Sequence, residues 1–182
     1  MARVVGGDEA ALAELMRRWE RPVKVVIGRL VLNASEAEEL AQETFVRLWQ
    51  GRARFRAGAA FRPWILTLAL NLARNRLRWW RRRPVVSLEA WTEAGGAAAD
   101  PAADAAGAAL TSERAAAVRE AVAALPRDLR EALVLFQYEG LAQAEIAEIV
   151  GASPKAVETR IHRARERLRV VLRGAQGKAL TG

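Results

Sequence analysis

The sequence predicts an all-α protein made of two small helical domains joined by a flexible linker, and three observations carry that expectation. Apolar residues recur three and four positions apart in successive stretches on both sides of the middle of the chain, which collects them on one face of a helix. Capping and stop residues punctuate those stretches: Asp8, Ser35 and Ser153 stand before apolar runs, and Gly140 and Gly151 after them. From Ser87 to Thr111 the composition turns to Ala, Gly, Asp and Pro, with too little apolar bulk to offset the entropy of ordering it. With 182 residues, two domains are each large enough to bury a modest core. The divisions fall at 1–86, a linker at 87–112, a second domain at 113–175 and a disordered tail at 176–182.

Taken in order, Asp8 caps a helix whose Ala11, Leu12, Leu15, Met16 and Trp19 fall at helical spacing. A second helical run follows Pro22 through Val23, Val26, Ile27 and Leu30 and ends near Asn33. Ser35 then caps a third helix, Glu36 to about Gln50, with acids in its first turn where the helix dipole favours them. Ala37, Leu40, Ala41, Thr44, Phe45, Leu48 and Trp49 make its apolar stripe; Glu36, Glu38, Glu39, Gln42 and Glu43 lie opposite. On the residues alone, such an acidic face is also what simple solvation produces. A loop over 51–58 leads to a fourth helix, opened by Phe61 or Pro63 and stopped by Pro84. In the linker, Leu88 and Trp91 are the bulky apolar residues free to dock locally.

The second domain opens near Glu113 with a helix carrying Ala117, Val118, Ala121, Val122 and Leu125, and Pro126 ends it. A helix from Asp128 to about Tyr138 follows. Gln143 to Val150 forms the next, Gly151-Ala152-Ser153 the turn, and Pro154 the first position of a last helix capped by Ser153. That helix places Val157, Ile161, Ala164 and Leu168 inward, and Lys155, Arg160, Arg163, Arg165, Arg167 and Arg169 largely outward. Helix, short turn and basic helix is the helix-turn-helix pattern, whose second helix enters a DNA major groove. A structural αα-hairpin shares the spacing but needs no one-sided basicity.

Formal net charge is +8, and it is unevenly placed. Between Arg52 and Arg83 ten residues are arginine and none is acidic, with Phe55, Phe61, Trp64, Trp79 and Trp80 interleaved. Such a segment repels itself and has no partner within its own length, so it calls for an external polyanion. Arginine neutralises phosphate and stacks on bases, and aromatic rings offer faces to unpaired bases at about 1–3 kcal/mol each.

The segment Glu36-Ala-Glu-Glu-Leu-Ala-Gln-Glu-Thr-Phe45, with Arg47-Leu-Trp49, Phe61-Arg-Pro-Trp-Ile65, Ala69, Asn71 and Ala73, resembles region 2 of a bacterial sigma factor. Leu125-Pro126, Glu139-Gly-Leu141, Glu145-Ile-Ala147, Val150-Gly151 and the run from Val157 to Arg165 resemble region 4. Two such domains with only a linker between them is the layout of the extracytoplasmic-function (ECF) group of the sigma-70 family. The resemblance implies a promoter-specificity subunit that binds core RNA polymerase and recognises −10 and −35 elements. It places Glu39, Gln42, Glu43 and Arg47 on the clamp helices of the polymerase large subunit. It assigns Arg54, Phe55, Phe61, Trp64, Asn71, Asn75 and Arg78 to the −10 element, where bases are flipped out, and Lys155, Glu158, Thr159, Arg160, His162 and Arg163 to the −35 element. An anti-sigma factor is the regulator it implies.

Two positions depart from the family pattern. Glu158 stands where relatives often carry a base; a carboxylate there repels phosphate or accepts from cytosine N4. Ala142 replaces a capping Ser or Thr, a loss of about 0.5–2 kcal/mol that predicts a frayed helix start. With no cysteine, disulfides and thiolate metal sites are excluded. No signal-peptide pattern or bilayer-length apolar run is present, which points to the cytoplasm and to no membrane contact of its own. His162 has no nucleophile or second ligand beside it and no phosphate-binding glycine loop occurs, so neither catalysis, metal nor cofactor is expected. The alternative is a stand-alone helix-turn-helix regulator, whose sensing domain has no need of ten arginines among aromatics.

Overall fold

The Asp8 carboxylate accepts the Ala11 amide at 2.9 Å and so begins the first long helix, as its sequence position predicts. A computed structural model describes residues 1–82 and 116–179, with side chains to residue 173. Arg83, Pro84, the expected linker and Glu113 lie outside the described residues. Among the described residues every regular element is helical: α1 (Ala2–Val5), α2 (Glu9–Val31), α3 (Ala34–Gln50), a 3₁₀ turn (Arg52–Arg54), α4 (Phe61–Arg82), α5 (116–123), α6 (Arg127–Gln137), α7 (Gln143–Val150) and α8 (Pro154–Ala179).

Several boundaries differ from the expectation. The two runs separated at Pro22 are one helix, with Pro22 inside it. Proline in a helix interior costs about 3 kcal/mol, but Val23, Val26, Ile27, Leu30 and Val31 are all buried beyond it. At about 1.5–3 kcal/mol per buried aliphatic side chain, their packing outweighs the local penalty. The cap of α3 is Asn33, whose side chain accepts the Glu36 amide at 2.9 Å, and not Ser35, which is exposed within the first turn. Between the two helices Leu32 takes the left-handed conformation at φ 62°, and its amide closes on the Gly28 carbonyl at 2.8 Å. The last helix continues to Ala179, past the expected limit at Ala175.

The apolar stripe read for α3 is the buried one: Ala37, Leu40, Ala41, Thr44, Phe45 and Leu48 are shielded, and Thr44 satisfies its hydroxyl by donating to the Leu40 carbonyl at 2.7 Å. It packs with α2 and α4 into the first module. In the second module α6, α7 and α8 pack together, and Ser153 caps α8 through the Ala156 amide at 3.2 Å.

The two modules also pack on each other. Helix α4 lies along α7 and α2 along α6, and a single buried cluster runs from Ile27, Leu66 and Leu70 into Leu135, Ile146 and Val150. Charged groups line this seam. Glu131 of α6, 2% exposed, takes a two-point grip from Arg74 of α4 at 3.0 and 2.7 Å. Arg62 donates to Glu139 at 3.0 Å, Arg29 lies 3.8 Å over the Tyr138 ring, and Arg130 donates to the Leu30 carbonyl at 3.0 Å. The arginine-rich segment has no acid within its own length, but the step from there to an external polyanion does not hold for all ten arginines. Carboxylates far away in sequence reach Arg62, Arg74 and Arg76, a pairing that no local reading of the segment discloses.

Candidate nucleic-acid interface

At 100° per residue, α4 presents three faces. Ile65 and Ala69 enter the first module, the row Arg62, Leu66, Leu70 and Arg74 runs along the seam, and Asn71, Asn75, Arg78 and Arg82 form an exposed row. Asn75 accepts a hydrogen bond from Arg78, one turn on. An asparagine amide offers both donors and acceptors, the equipment for reading a base edge. Exposed Arg54 and Arg56 lie in the preceding loop, and Arg81 and Arg82 at the far end of the helix; none of the four has an ion pair among the described residues.

The aromatic candidates form a chain of ring contacts. Phe55 meets Trp64 edge-on at 5.1 Å, Phe61 meets Trp64 at 6.3 Å, and Trp19 caps Phe61 at 5.3 Å. Phe55, Phe61 and Trp64 are half-buried, so the flat, freely exposed platforms anticipated from composition are instead partly engaged with one another. Trp19 is a member that the −10 pattern did not suggest; its helical register on α2 was legible, its contact was not.

On α3, Glu39 and Gln42 are exposed and Glu43 is half-exposed and paired with Arg47 at 2.6 Å. Glu39 and Glu36 converge on Arg76 of α4, with Glu39 at 2.9 Å. The Arg76 hydrogen bond holds the Glu39 carboxyl below its usual range. Burial pushes Glu36 up, with Arg76 opposing the rise. Beside these acids Val46 is 47% exposed, an apolar residue on an otherwise charged surface.

In the second module, Gly151 ends α7 in the left-handed conformation at φ 69°, and Ala152 returns its amide to the Ala147 carbonyl at 3.0 Å. Buried Ala147 and Val157 allow α7 and α8 to meet closely. The outer side of α8 carries exposed Lys155, Glu158, His162 and Arg163, with Thr159 and Arg160 half-exposed. Lys155 pairs with Glu158 at 2.8 Å, Thr159 donates to the Lys155 carbonyl at 2.9 Å, and Arg160 lies 3.7 Å from Asp128. Lys155, Glu158, Thr159 and His162, with Phe136, Gln143, Ile161 and Arg165, border a shallow groove. Ala142 offers no cap to α7, but Glu145 accepts the Ala142 amide at 2.8 Å and supplies half of a capping box.

Fold and surface together define a two-module helical protein with an exposed polar and basic row on α4 and a basic helix that follows a helix-turn-helix turn. Residues 15–83 match the family model for Sigma-70 region 2, and residues 115–168 that for Sigma-70, region 4. The RNA polymerase sigma-H factor of Pseudomonas aeruginosa is 34% identical over 168 residues, covering 90% of this chain and 87% of that protein. CarQ of Myxococcus xanthus, an RNA polymerase sigma factor, is 35% identical and covers 94% and 95%. RfaY of Xanthomonas campestris is 35% identical over 93% of this chain, which spans 42% of the length of that relative. Among solved structures, CnrH in complex with the cytosolic domain of CnrY superposes with a TM-score of 0.70 at 25% identity, covering 95% of this chain and 94% of that one. The fold is also that of the sigma factor RpoE of Bartonella quintana, solved with the anti-sigma factor NepR: TM-score 0.67, 22% identity, 88% and 96% coverage. The chain belongs to the sigma-70 family of RNA polymerase sigma factors, in its ECF group.

Proposed function

We propose that this chain is a non-catalytic subunit that binds core RNA polymerase and directs initiation at promoters read through two elements. The observation that carries the reading is the pairing, in one chain, of the exposed Asn71, Asn75 and Arg78 row on α4 with a capped basic helix after a helix-turn-helix turn. In this reading α4 and the Arg54–Phe55 loop hold the opened −10 element with Phe61 and Trp64, where stacking offsets the few kcal/mol needed to flip each base. Helix α8 enters the −35 major groove with Lys155, Glu158, Thr159, Arg160, His162 and Arg163. Glu39, Gln42, Glu43 and Arg47 form the surface for the polymerase clamp helices. Among the described residues no helix is long and apolar enough to cross a membrane, and we place the protein with the polymerase in the cytoplasm. The complexes of its structural relatives with protein partners extend the reading to control by an anti-sigma factor.

The test is transcription in vitro from genomic promoter fragments with sigma-free core polymerase. Specific starts that depend on the protein, and that vanish with Gln42→Ala plus Glu43→Ala, establish it. Tight duplex binding by the protein with indifference to core polymerase overturns it.

A further inference from the structure

The seam between the modules is built from the same helix that faces the promoter. Arg62 and Arg74 bracket Leu66 and Leu70 on one row of α4, and at each end of that row a carboxylate of the second module closes on the guanidinium. Glu131 is the more deeply placed of the two, with Arg127 contributing a second cation at 3.4 Å. Arg74 reaches it in the planar two-point geometry with which arginine also grips phosphate. Glu139, its side chain 10% exposed, offers Arg62 both its carboxylate and its backbone carbonyl. The second module thus supplies to α4 two oxyanions in fixed positions, as a phosphate backbone would.

We propose that Glu131 and Glu139 stand in for DNA phosphates, holding Arg74 and Arg62 in a closed state in which the modules are packed, and that polyanion binding along α4 competes with them and opens the molecule. The apolar row between the two arginines adds to closure, since Leu66 and Leu70 are fully buried in the cluster that continues into Leu135, Ile146 and Val150 of the second module. Closure leaves the Asn71, Asn75 and Arg78 row exposed, so DNA has a place to land before the seam parts. The coupling to promoter DNA rests on the reading of α4 given above; the closed state itself does not.

The chain has no cysteine, so Glu20→Cys with Val170→Cys gives one dye pair spanning the modules for energy transfer. The otherwise unsubstituted double-cysteine protein sets the reference transfer of the closed state. Glu131→Gln is expected to lower it, leaving Arg74 without its charge partner, and the exchange Arg74→Glu with Glu131→Arg to restore it. Circular dichroism separates opening from unfolding; if Glu131→Gln loses its helices, Glu139→Gln and the exchange pair carry the comparison. Titration with a mixed-sequence single strand of about 16 nucleotides is expected to lower transfer in the wild type. The doubly neutralised Glu131→Gln, Glu139→Gln protein is expected to bind that strand more tightly, by the factor through which the open fraction rises. Unchanged transfer in the folded variants, or an exchange pair as open as Glu131→Gln, overturns the closed state. Transfer indifferent to the oligonucleotide overturns the competition. Because neither readout uses polymerase, a negative transcription experiment counts against the function and leaves this test standing.

Discussion

At the scale of single residues, Arg76 shows how one cation sets two neighbours differently. Glu39 is exposed, and its hydrogen bond from Arg76 favours the ionised form; Glu36 sits deeper, where desolvation disfavours it and Arg76 restrains the rise. The lowered carboxyl binds fewer protons folded than unfolded, so what Glu39 contributes is present above its ordinary value of 4.5 and is lost as pH falls through its folded value. Glu36 has the opposite sign: its folded value is raised, so stability declines as pH climbs from 4.5 through that value. Arg76→Gln is expected to move both carboxyls upward, which carbon-detected NMR titration of the two side chains checks. A Glu39 carboxyl that stays low in the variant contradicts the assignment of its cause.

At the scale of elements, the caps make the sharpest forecasts, and they also show where sequence was a good guide. Asp8 and Ser153 were read correctly because each stands alone before its helix, with no rival capping residue beside it. Asn33 and Ser35 compete over a two-residue range, and local pattern favoured the wrong one; the left-handed Leu32 fixes the chain direction so that Asn33 takes the cap. Asn33→Ala is accordingly expected to cost about 0.5–2 kcal/mol and Ser35→Ala far less, measured by urea unfolding. At α7, Glu145 supplies one arm of the capping box and Ala142 withholds the other. Ala142→Ser is expected to stabilise by a similar amount and to slow amide exchange at Ala144 and Glu145, which without that cap are expected to exchange early. Fast exchange at those amides in the serine variant contradicts this. The Pro22 break failed for a different reason: local penalties were visible in the sequence, while the tertiary burial that overrides them was not.

At the scale of the whole molecule, the packing of one module on the other had a signal in the sequence that a single-face reading passes over. Helix α6 is apolar at Leu129, Ala132 and Leu133 but also at Val134 and Leu135, too wide for one interface, and Glu131 shares the second stripe. A helix buried on two sides needs neighbours on both, and beyond α7 and α8 of its own module α6 packs on α2 of the other. The candidate site was legible where its residues form exposed rows, as on α4 and α8, and less so where aromatics turn toward one another, as Phe61 does toward Trp19.

The same geometry divides the arginines into those with carboxylate partners and those without, and salt dependence distinguishes them. Each phosphate neutralised by a free cation steepens the fall of log K with log salt by about 0.7 on single strands and about 0.9 on duplex. Arg81 and Arg82 are exposed, and among the described residues neither has an ion pair, so Arg81→Gln with Arg82→Gln is expected to flatten the slope on promoter DNA by about 1 to 2. Arg76 is half-buried between Glu36 and Glu39. Arg76→Gln is expected to leave the slope nearly unchanged while lowering the unfolding midpoint, because it removes an α3–α4 contact and no phosphate contact. Filter binding across a salt series, with thermal melts of the same proteins, gives both numbers. If the two variants flatten the slope equally, Glu36 and Glu39 do not hold Arg76 when DNA is present, and charge counting over the whole segment becomes the better guide to affinity.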